Sequence, residues 1–330
     1  MSHGRAFKQL VPGSTGSSAR YSSACLWFIT LAQLAGYFTG LGLASWQLSP
    51  LEVNPLVGLG RDNLLRVGAT STRNIVVHNE WWRLVTSPFI PAGAIHLWAS
   101  TSAVWTFGMF LASALRPWQL LWLIVVSAAA GSTVGANVGS QVVISAASGP
   151  AFGLIGGTCA ALIMHHRLFN HHVLSWVMLV IVLLLNIFIG ATTFVDQTAN
   201  MAGFVAGAFG TLGCLLLELK KVETRRKEWL LRAGCIVCYL IAIAIPILGV
   251  LGLSLGVPIG GCCDGLVCTN FKQDLWDCDA ARLPGICSLS SNINGTYMFC
   301  PATGIQQLLP SSSDQNSLQL LCSSCSGLLS

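Results

Sequence analysis

The chain has 330 residues, of which 53% are hydrophobic and 9% are charged. Soluble domains carry about 25% charged residues, so this composition excludes a water-soluble globular protein. The net charge of +5 is spread over many segments and forms no concentrated basic patch, which argues against nucleic-acid binding. The sequence therefore predicts a polytopic protein that resides in the lipid bilayer.

Seven segments are long and apolar enough to cross a bilayer, which takes about 20 residues for one helix. Lipid offers backbone amides no other hydrogen-bond partner, so an all-α fold is predicted. In chain order the spans are 24–46, 94–115, 118–138, 148–164, 173–190, 198–217 and 230–255. Small residues at helical spacing are expected to let helix backbones pack closely; they are Gly131, Gly135, Gly139, Gly203 and Gly207.

The spacing of the spans divides the chain into five parts. The first six spans form a core over 24–217, with a long loop at 47–93 between the first two spans. The first span has no clear cleavage site and is typical of a signal anchor. The remaining parts are an N-terminal segment 1–23, a basic linker 218–229, the seventh span 230–255 and a tail 256–330.

The distribution of basic residues predicts the orientation in the membrane. If the N-terminus is cytosolic, 11 of the 17 Lys and Arg residues lie on the cytosolic side, mostly in short segments. This is the pattern that the positive-inside rule requires. With seven spans, the loop 47–93 and the tail then face the lumen or the cell exterior.

The composition of the tail agrees with that side of the membrane. Asn294-Gly295-Thr296 is a glycosylation sequon, which is meaningful only in the secretory pathway. Disulfides also persist there, and the eight candidate cysteines are Cys262, Cys263, Cys268, Cys278, Cys287, Cys300, Cys322 and Cys325. Their pairing stays open, because eight cysteines allow 105 connectivities. A zinc site is the competing interpretation, but of these cysteines only Cys322 and Cys325 have Cys-x-x-Cys spacing, so disulfides are favoured and no metal is expected.

The second, fourth and sixth spans all enter from the luminal side, and each carries a polar residue near that end. These residues are His96, Ser148 and Asn200. Polar groups inside a membrane face the bundle interior or a water-filled cavity and indicate function. Each residue alone also has a structural interpretation: a helix cap for Ser148, an interhelical hydrogen bond for Asn200 and an interface for His96. Their common depth favours a functional site.

Four motifs in the same order resemble those of the rhomboid family of intramembrane serine proteases. The loop contains Asn54-Pro55-Leu56 and a segment from Glu80 to Thr86, and His96 follows in the second span. Ser148-Gly149 with Phe152-Gly153, then Asp196, Ala199, Gly203 and Gly207, match the fourth and sixth spans. The resemblance implies a six-helix rhomboid core plus a seventh C-terminal helix. The Cys-rich tail resembles that of plant-type, secretory-pathway rhomboids, so the endoplasmic reticulum, Golgi or plasma membrane is expected.

The resemblance also implies roles for individual residues. Ser148 occupies the position of the nucleophile, and Asn200 occupies the position of the histidine that serves as general base. His96, Ser100 and Gly149 correspond to the side that holds the oxyanion. This chain departs from the family pattern at Asn200, at Ser100 in place of asparagine, and at Ala146 in place of glycine.

The asparagine decides the predicted function, because an amide cannot accept a proton near neutral pH. Loss of a general base costs about 10² to 10⁴-fold in rate. Four other histidines, His165, His166, His171 and His172, belong to the opposite ends of their spans, roughly 25 Å from Ser148.

The sequence therefore predicts a rhomboid-like pseudoprotease without a cofactor, which is no longer an enzyme. It is expected to bind single-pass transmembrane client proteins and to influence their trafficking, maturation or degradation. The alternative is an active rhomboid-type endopeptidase that uses Ser148 with a non-standard base, either His96 or bound water.

Overall fold

The structure is a computed structural model that describes residues 16–139, 142–165, 172–218, 225–255, 281, 288–292, 295–300 and 305–308. The helices in these ranges are α1 (Gly16–Leu43), α2 (Arg61–Val67), α3 (Thr72–Val76), α4 (Arg83–Thr86), α5 (Ala94–Ala112), α6 (Pro117–Val138), α7 (Gly149–His165), α8 (His172–Gly190), α9 (Gln197–Glu218) and α10 (Arg225–Ser254). A short 3₁₀ helix covers Ser87–Phe89.

Each of the seven predicted spans coincides with one long helix, so the helical membrane fold is confirmed. Among the described residues, four helices are long and apolar enough to cross a bilayer by length and composition: α1, α6, α9 and α10. The apolar stretch of α7 is shorter, and most of its side chains are buried by neighbouring helices. Because α7 contacts mainly protein, it does not need a long apolar surface.

The loop between α1 and α5 is folded, and Asn54 holds its two ends together. Its amide Nδ2 donates hydrogen bonds to Leu59 O at 2.8 Å and to Ala92 O at 2.9 Å. The side-chain oxygen of Asn54 accepts from the Leu56 N–H at 3.1 Å. All these groups are buried, so the fully buried asparagine replaces water as their partner.

A buried arginine, Arg83, fastens the rest of this loop. Its Nη1 donates to Leu65 O at 2.7 Å and to Ala69 O at 3.0 Å, and its Nε donates to Glu80 at 2.5 Å. The hydrogen bond from Asn74 and then that from Arg83 lower the pKa of Glu80, which therefore stays ionised beside the guanidinium. The hydrogen bonds of Arg83 hold the loop in one conformation.

Close contact between α7 and α9 forms the centre of the bundle. A Cβ atom added to Gly207 would lie 2.0 Å from Gly153 O, and one added to Gly203 would lie 2.5 Å from Gly149 O. Only residues without a side chain allow the two backbones to approach so closely. The structure thus shows the packing predicted for Gly203 and Gly207, and Gly131 likewise approaches the Cα of Gly149.

The seventh long helix, α10, packs on α6 through a polar contact. Asn137 Nδ2 donates to Gly249 O at 2.7 Å. A Cβ added to Gly249 would lie 2.5 Å from Thr133 Oγ1, so the glycine lets α10 approach. Pro246 lies inside the same helix, one turn before Gly249.

The chain divides into two compact units, Met1–Ala281 and Arg282–Ser330. Ala281 is buried in the first unit, and its carbonyl accepts a hydrogen bond from Val143 N at 2.9 Å.

The second unit contains a three-stranded antiparallel sheet in the order β1 (Ser288–Asn292), β2 (Gly295–Cys300) and β3 (Ile305–Leu308). These strands were not predicted from the sequence, because each has only four to six residues, too few to give a clear alternation of polar and apolar residues. Cys300 ends β2. Asn294 and the other candidate disulfide cysteines lie outside the described residues: Cys262, Cys263, Cys268, Cys278, Cys287, Cys322 and Cys325.

Candidate functional site

Ser148 immediately precedes α7, and the segment that leads to it is held from two sides. Ser145 N donates to Phe194 O at 2.8 Å, which joins the segment to the chain that enters α9. Ala146 N donates to Ser87 Oγ at 3.1 Å, which joins it to the loop before α5. These bonds bring the starts of α5, α7 and α9 to one end of the bundle, as the sequence analysis predicted from their common depth.

Ser148 and Asn200 are in direct contact. Ser148 Oγ donates a hydrogen bond to Asn200 Oδ1 at 2.5 Å, and the two residues are only 2% and 1% exposed. The hydroxyl does not cap the helix that it precedes. The contact is therefore interhelical, and it joins the predicted nucleophile position to the predicted base position.

The amide of Asn200 is fixed by Gln197, a residue that was not predicted from the sequence. Asn200 Nδ2 donates to Gln197 Oε1 at 2.7 Å, and Gln197 Nε2 donates to Ile187 O at 3.0 Å. An amide nitrogen can only donate and an amide oxygen can only accept. The hydrogen bonds from Gln197 to Ile187 and from Asn200 to Gln197 therefore direct the oxygen of Asn200 toward Ser148. The one available signal was the spacing of three residues between Gln197 and Asn200 on one helix face.

His96 is buried on α5, but it does not bond to Ser148. Its Nδ1 accepts a hydrogen bond from Ala92 N at 3.2 Å, so the proton of the neutral ring resides on Nε2. Nε2 has no hydrogen-bond partner within the described ranges. Ser100 Oγ, one helical turn further along α5, is also buried without a partner there.

No imidazole in the described part of the chain is hydrogen-bonded to Ser148. His78 is exposed in the loop, and His96 has the contacts given above. The side chains of His165, His166, His171 and His172 lie outside the described part of the chain.

The backbone N–H groups of Ser148 and Gly149 differ in whether they have a hydrogen-bond acceptor. The N–H of Gly149, predicted on the oxyanion side, donates to Ala146 O at 3.0 Å. The N–H of Ser148 itself pairs with no acceptor among the described residues. Of these two groups, Ser148 N–H is thus the one that can still bind a ligand.

Asp196 supports the site without touching its reactive atoms. Its Oδ1 accepts from the N–H of Thr198 and from Thr198 Oγ1, both at 2.8 Å. These bonds cap the first turn of α9 and so fix the start of the helix that carries Asn200. Gly135 of α6 leaves the space for this carboxyl group, since an added Cβ would lie 2.9 Å from Asp196 Oδ2.

A second residue that the sequence analysis missed is Gln33, which lies fully buried in α1. Its Nε2 donates to Ala147 O at 2.7 Å and to Pro88 O at 3.1 Å. The one sequence signal was that Gln33 is the only amide side chain in the predicted span 24–46.

The hydroxyl of Ser148 is hydrogen-bonded to an amide and not to a base. A serine hydroxyl is a weak nucleophile unless an adjacent base takes its proton. Asn200 Oδ1 accepts the hydrogen bond, but a carboxamide oxygen cannot hold the proton at neutral pH.

Comparison with known proteins identifies a domain that includes this site. A family model described as the Rhomboid domain matches residues 78–218. The chain is 32% identical over 182 residues to RHOMBOID-like protein 5 of Arabidopsis thaliana, covering 54% of this chain and 57% of that protein. It is 28% identical over 172 residues to Inactive RHOMBOID-like protein 8 of the same plant, covering 52% and 49%.

A bacterial protein is similar over a shorter region. The chain is 24% identical over 149 residues to Rhomboid protease GluP of Bacillus subtilis, covering 45% of this chain and 29% of that protein. The chain thus spans about half the length of the plant relatives named above.

Proposed function

We propose that this chain, which contains a Rhomboid domain over residues 78–218, is a rhomboid-like pseudoprotease. It binds single-pass transmembrane clients and influences their trafficking, maturation or degradation. The observation that carries the proposal is the hydrogen bond from Ser148 Oγ to Asn200 Oδ1. One similar protein carries the word inactive in its name.

The absence of proteolysis follows from the energetics of proton transfer. Removal of the base of a serine protease can lower turnover by about 10⁶-fold. Ser100 adds a smaller loss, since removal of one oxyanion donor costs about 10² to 10³-fold. Such losses are not additive, but the loss of the base alone makes the expected cleavage far slower than that of an intact serine protease.

Binding is supported by donors and by an apolar surface. The buried His96 Nε2 and Ser100 Oγ have no partner within the described ranges, and such groups favour a polar ligand. Apolar side chains are exposed along α8 at helical spacing, where a client helix would approach through lipid: Val177, Ile181, Leu184 and Phe188. A client that pairs with the donors must expose backbone, which favours helices with helix-weakening residues.

The proposal is tested with the purified full-length protein and an active-site-directed fluorophosphonate probe. We expect no labelling that depends on Ser148 and no cleavage of a transmembrane substrate. Client proteins are expected to co-purify equally with the natural chain and with Ser148→Ala. Labelling or cleavage that is lost in Ser148→Ala would instead establish the alternative, a serine endopeptidase in which His96 or water serves as base.

The same proposal includes the cellular setting. The basic residues favour a cytosolic N-terminus, and the tail with its sequon at Asn294 and its eight cysteines then faces the lumen of the secretory pathway or the cell exterior. In that compartment we expect a glycoprotein with disulfides, in the endoplasmic reticulum, the Golgi or the plasma membrane.

A further inference from the structure

Gln33 joins α1 to the two chain segments that precede α5 and α7. Both hydrogens of its Nε2 are used, one for Ala147 O at 2.7 Å and one for Pro88 O at 3.1 Å. These carbonyls belong to backbone outside the long helices, where lipid cannot supply a partner. The oxygen Oε1 of Gln33 is buried and pairs with no described atom. A buried acceptor without a partner destabilises the protein, so the stabilising contribution of this side chain comes from its two donated hydrogen bonds.

The bond to Ala147 determines where the N–H of Ser148 points. The peptide unit between Ala147 and Ser148 is trans, because the structure contains no cis peptide bond in its described ranges. In a planar trans peptide the C=O and the N–H point in opposite directions. Since the carbonyl faces Gln33, the N–H of Ser148 faces away from α1, and no described acceptor pairs with it.

We propose that Gln33 is a positioning residue, which holds the Ala147–Ser148 peptide so that Ser148 N–H can donate to a backbone carbonyl of a bound client. The client half of this statement rests on the proposed function, whereas the orientation of the peptide does not. The same amide also holds Pro88, in the loop before the helix that carries His96. One side chain thus positions the approaches to two of the three helices of the site.

The orientation can be measured by nuclear magnetic resonance with selective labels. The sequence contains four Ala–Ser pairs, at Ala44–Ser45, Ala99–Ser100, Ala112–Ser113 and Ala147–Ser148. Protein labelled with ¹³C carbonyl alanine and ¹⁵N serine therefore gives only these signals in a carbonyl-to-amide spectrum. Ala147→Gly removes the signal of interest and so assigns it.

Gln33→Met keeps the length of the side chain and removes both hydrogen bonds. We expect it to shift the carbonyl carbon of Ala147 upfield and to change the shift and the dipolar coupling of the Ser148 amide. Thr30→Val is the matched control, because Thr30 is also buried in α1 and accepts a hydrogen bond from Trp105 Nε1 at 3.0 Å, away from Ser148. The control is expected to lower the melting temperature without moving the Ser148 signal.

An unchanged Ser148 amide in Gln33→Met, with only the carbonyl shifted, would overturn the positioning role. A measurement on the natural sequence covers the case in which the variant does not fold. With ¹⁵N in the glutamine side chains, a coupling across the hydrogen bond from Gln33 Nε2 to the Ala147 carbonyl carbon is expected. Its absence would also overturn the proposal.

The client half has a separate readout. A synthetic single-pass transmembrane peptide with a central Gly–Pro pair is added to the labelled natural protein, and a downfield shift of the Ser148 amide proton is expected. If the coupling from Gln33 is present and the peptide causes no shift, the client contact is wrong while the orientation by Gln33 stands.

Discussion

The amide of Asn200 and an imidazole can occupy the same place, but they differ in what they do with a proton. Asn200 Oδ1 already accepts the hydrogen of Ser148 Oγ at 2.5 Å, and its nitrogen is committed to Gln197. The geometry of a nucleophile beside its base is thus retained without the basicity. At this scale the proposed loss of proteolysis depends on the chemistry of one side chain and not on its position.

Restoring the imidazole alone should restore little activity. We expect Asn200→His to cleave a transmembrane substrate slowly, because Ser100 and Ala146 still depart from the family pattern. Adding Ser100→Asn should raise the rate by about 10² to 10³-fold, the contribution of one oxyanion donor. The measurement is the initial rate of cleavage in detergent micelles, with Ser148→Ala in the double variant as the control. Robust cleavage by Asn200→His alone would show that the remaining site is more complete than we infer.

The location of Ser148, His96 and Asn200 at one end of the bundle could be predicted from the sequence, because helix topology alone fixes it. The contacts of Gln33 and Gln197 could not be predicted. Their importance depends on which carbonyl each amide meets, and those carbonyls lie far along the chain or on another helix. Hydrophobic pattern does not contain that information.

At the scale of elements, the contact between α7 and α9 sets the distance from Ser148 to Asn200. The carbonyls of Gly149 and Gly153 rest directly on Gly203 and Gly207. The seven long helices could be predicted from apolar length, whereas the three short helices α2, α3 and α4 could not. Those short helices depend on buried polar contacts such as that of Arg83 with Glu80, which have no periodic signature.

A single methyl group at this contact should separate the two helices. Gly207→Ala would place a Cβ 2.0 Å from Gly153 O, so we expect it to lower the stability by about 1–3 kcal/mol. Gly42→Ala in α1 is the matched control, because nothing lies within 4 Å of its added Cβ. Thermal unfolding in detergent measures both variants. Equal melting temperatures would contradict close packing as the role of Gly207.

At the scale of the whole molecule, the chain combines a membrane unit with a C-terminal unit that contains a small sheet. Composition and hydropathy predict the first unit well, because a bilayer permits few alternatives to helices. The sheet was not predicted, since such short strands are specified by their pairing partners and not by local pattern. The direction in which the chain crosses the membrane stays a prediction from its basic residues.

Glycosylation provides a direct test of that direction. If the tail faces the lumen, an enzyme that removes N-linked glycans should increase the gel mobility of the natural chain and leave Asn294→Gln unchanged. The reason is that the glycosylation machinery acts only on the luminal side. The predicted orientation would be reversed if neither protein changed its mobility and if protease added on the luminal side left the tail intact.

The hydrogen bond from Val143 to Ala281 provides a path by which force on the C-terminal unit can act near Ser148. Arg282, the first residue of that unit, follows directly after Ala281, and Val143 belongs to the short segment that leads to Ser148. A load on the tail therefore reaches this segment as well as the end of the seventh helix. A force that breaks the hydrogen bond between Val143 and Ala281 removes one of the restraints that keep Ser148 beside Asn200.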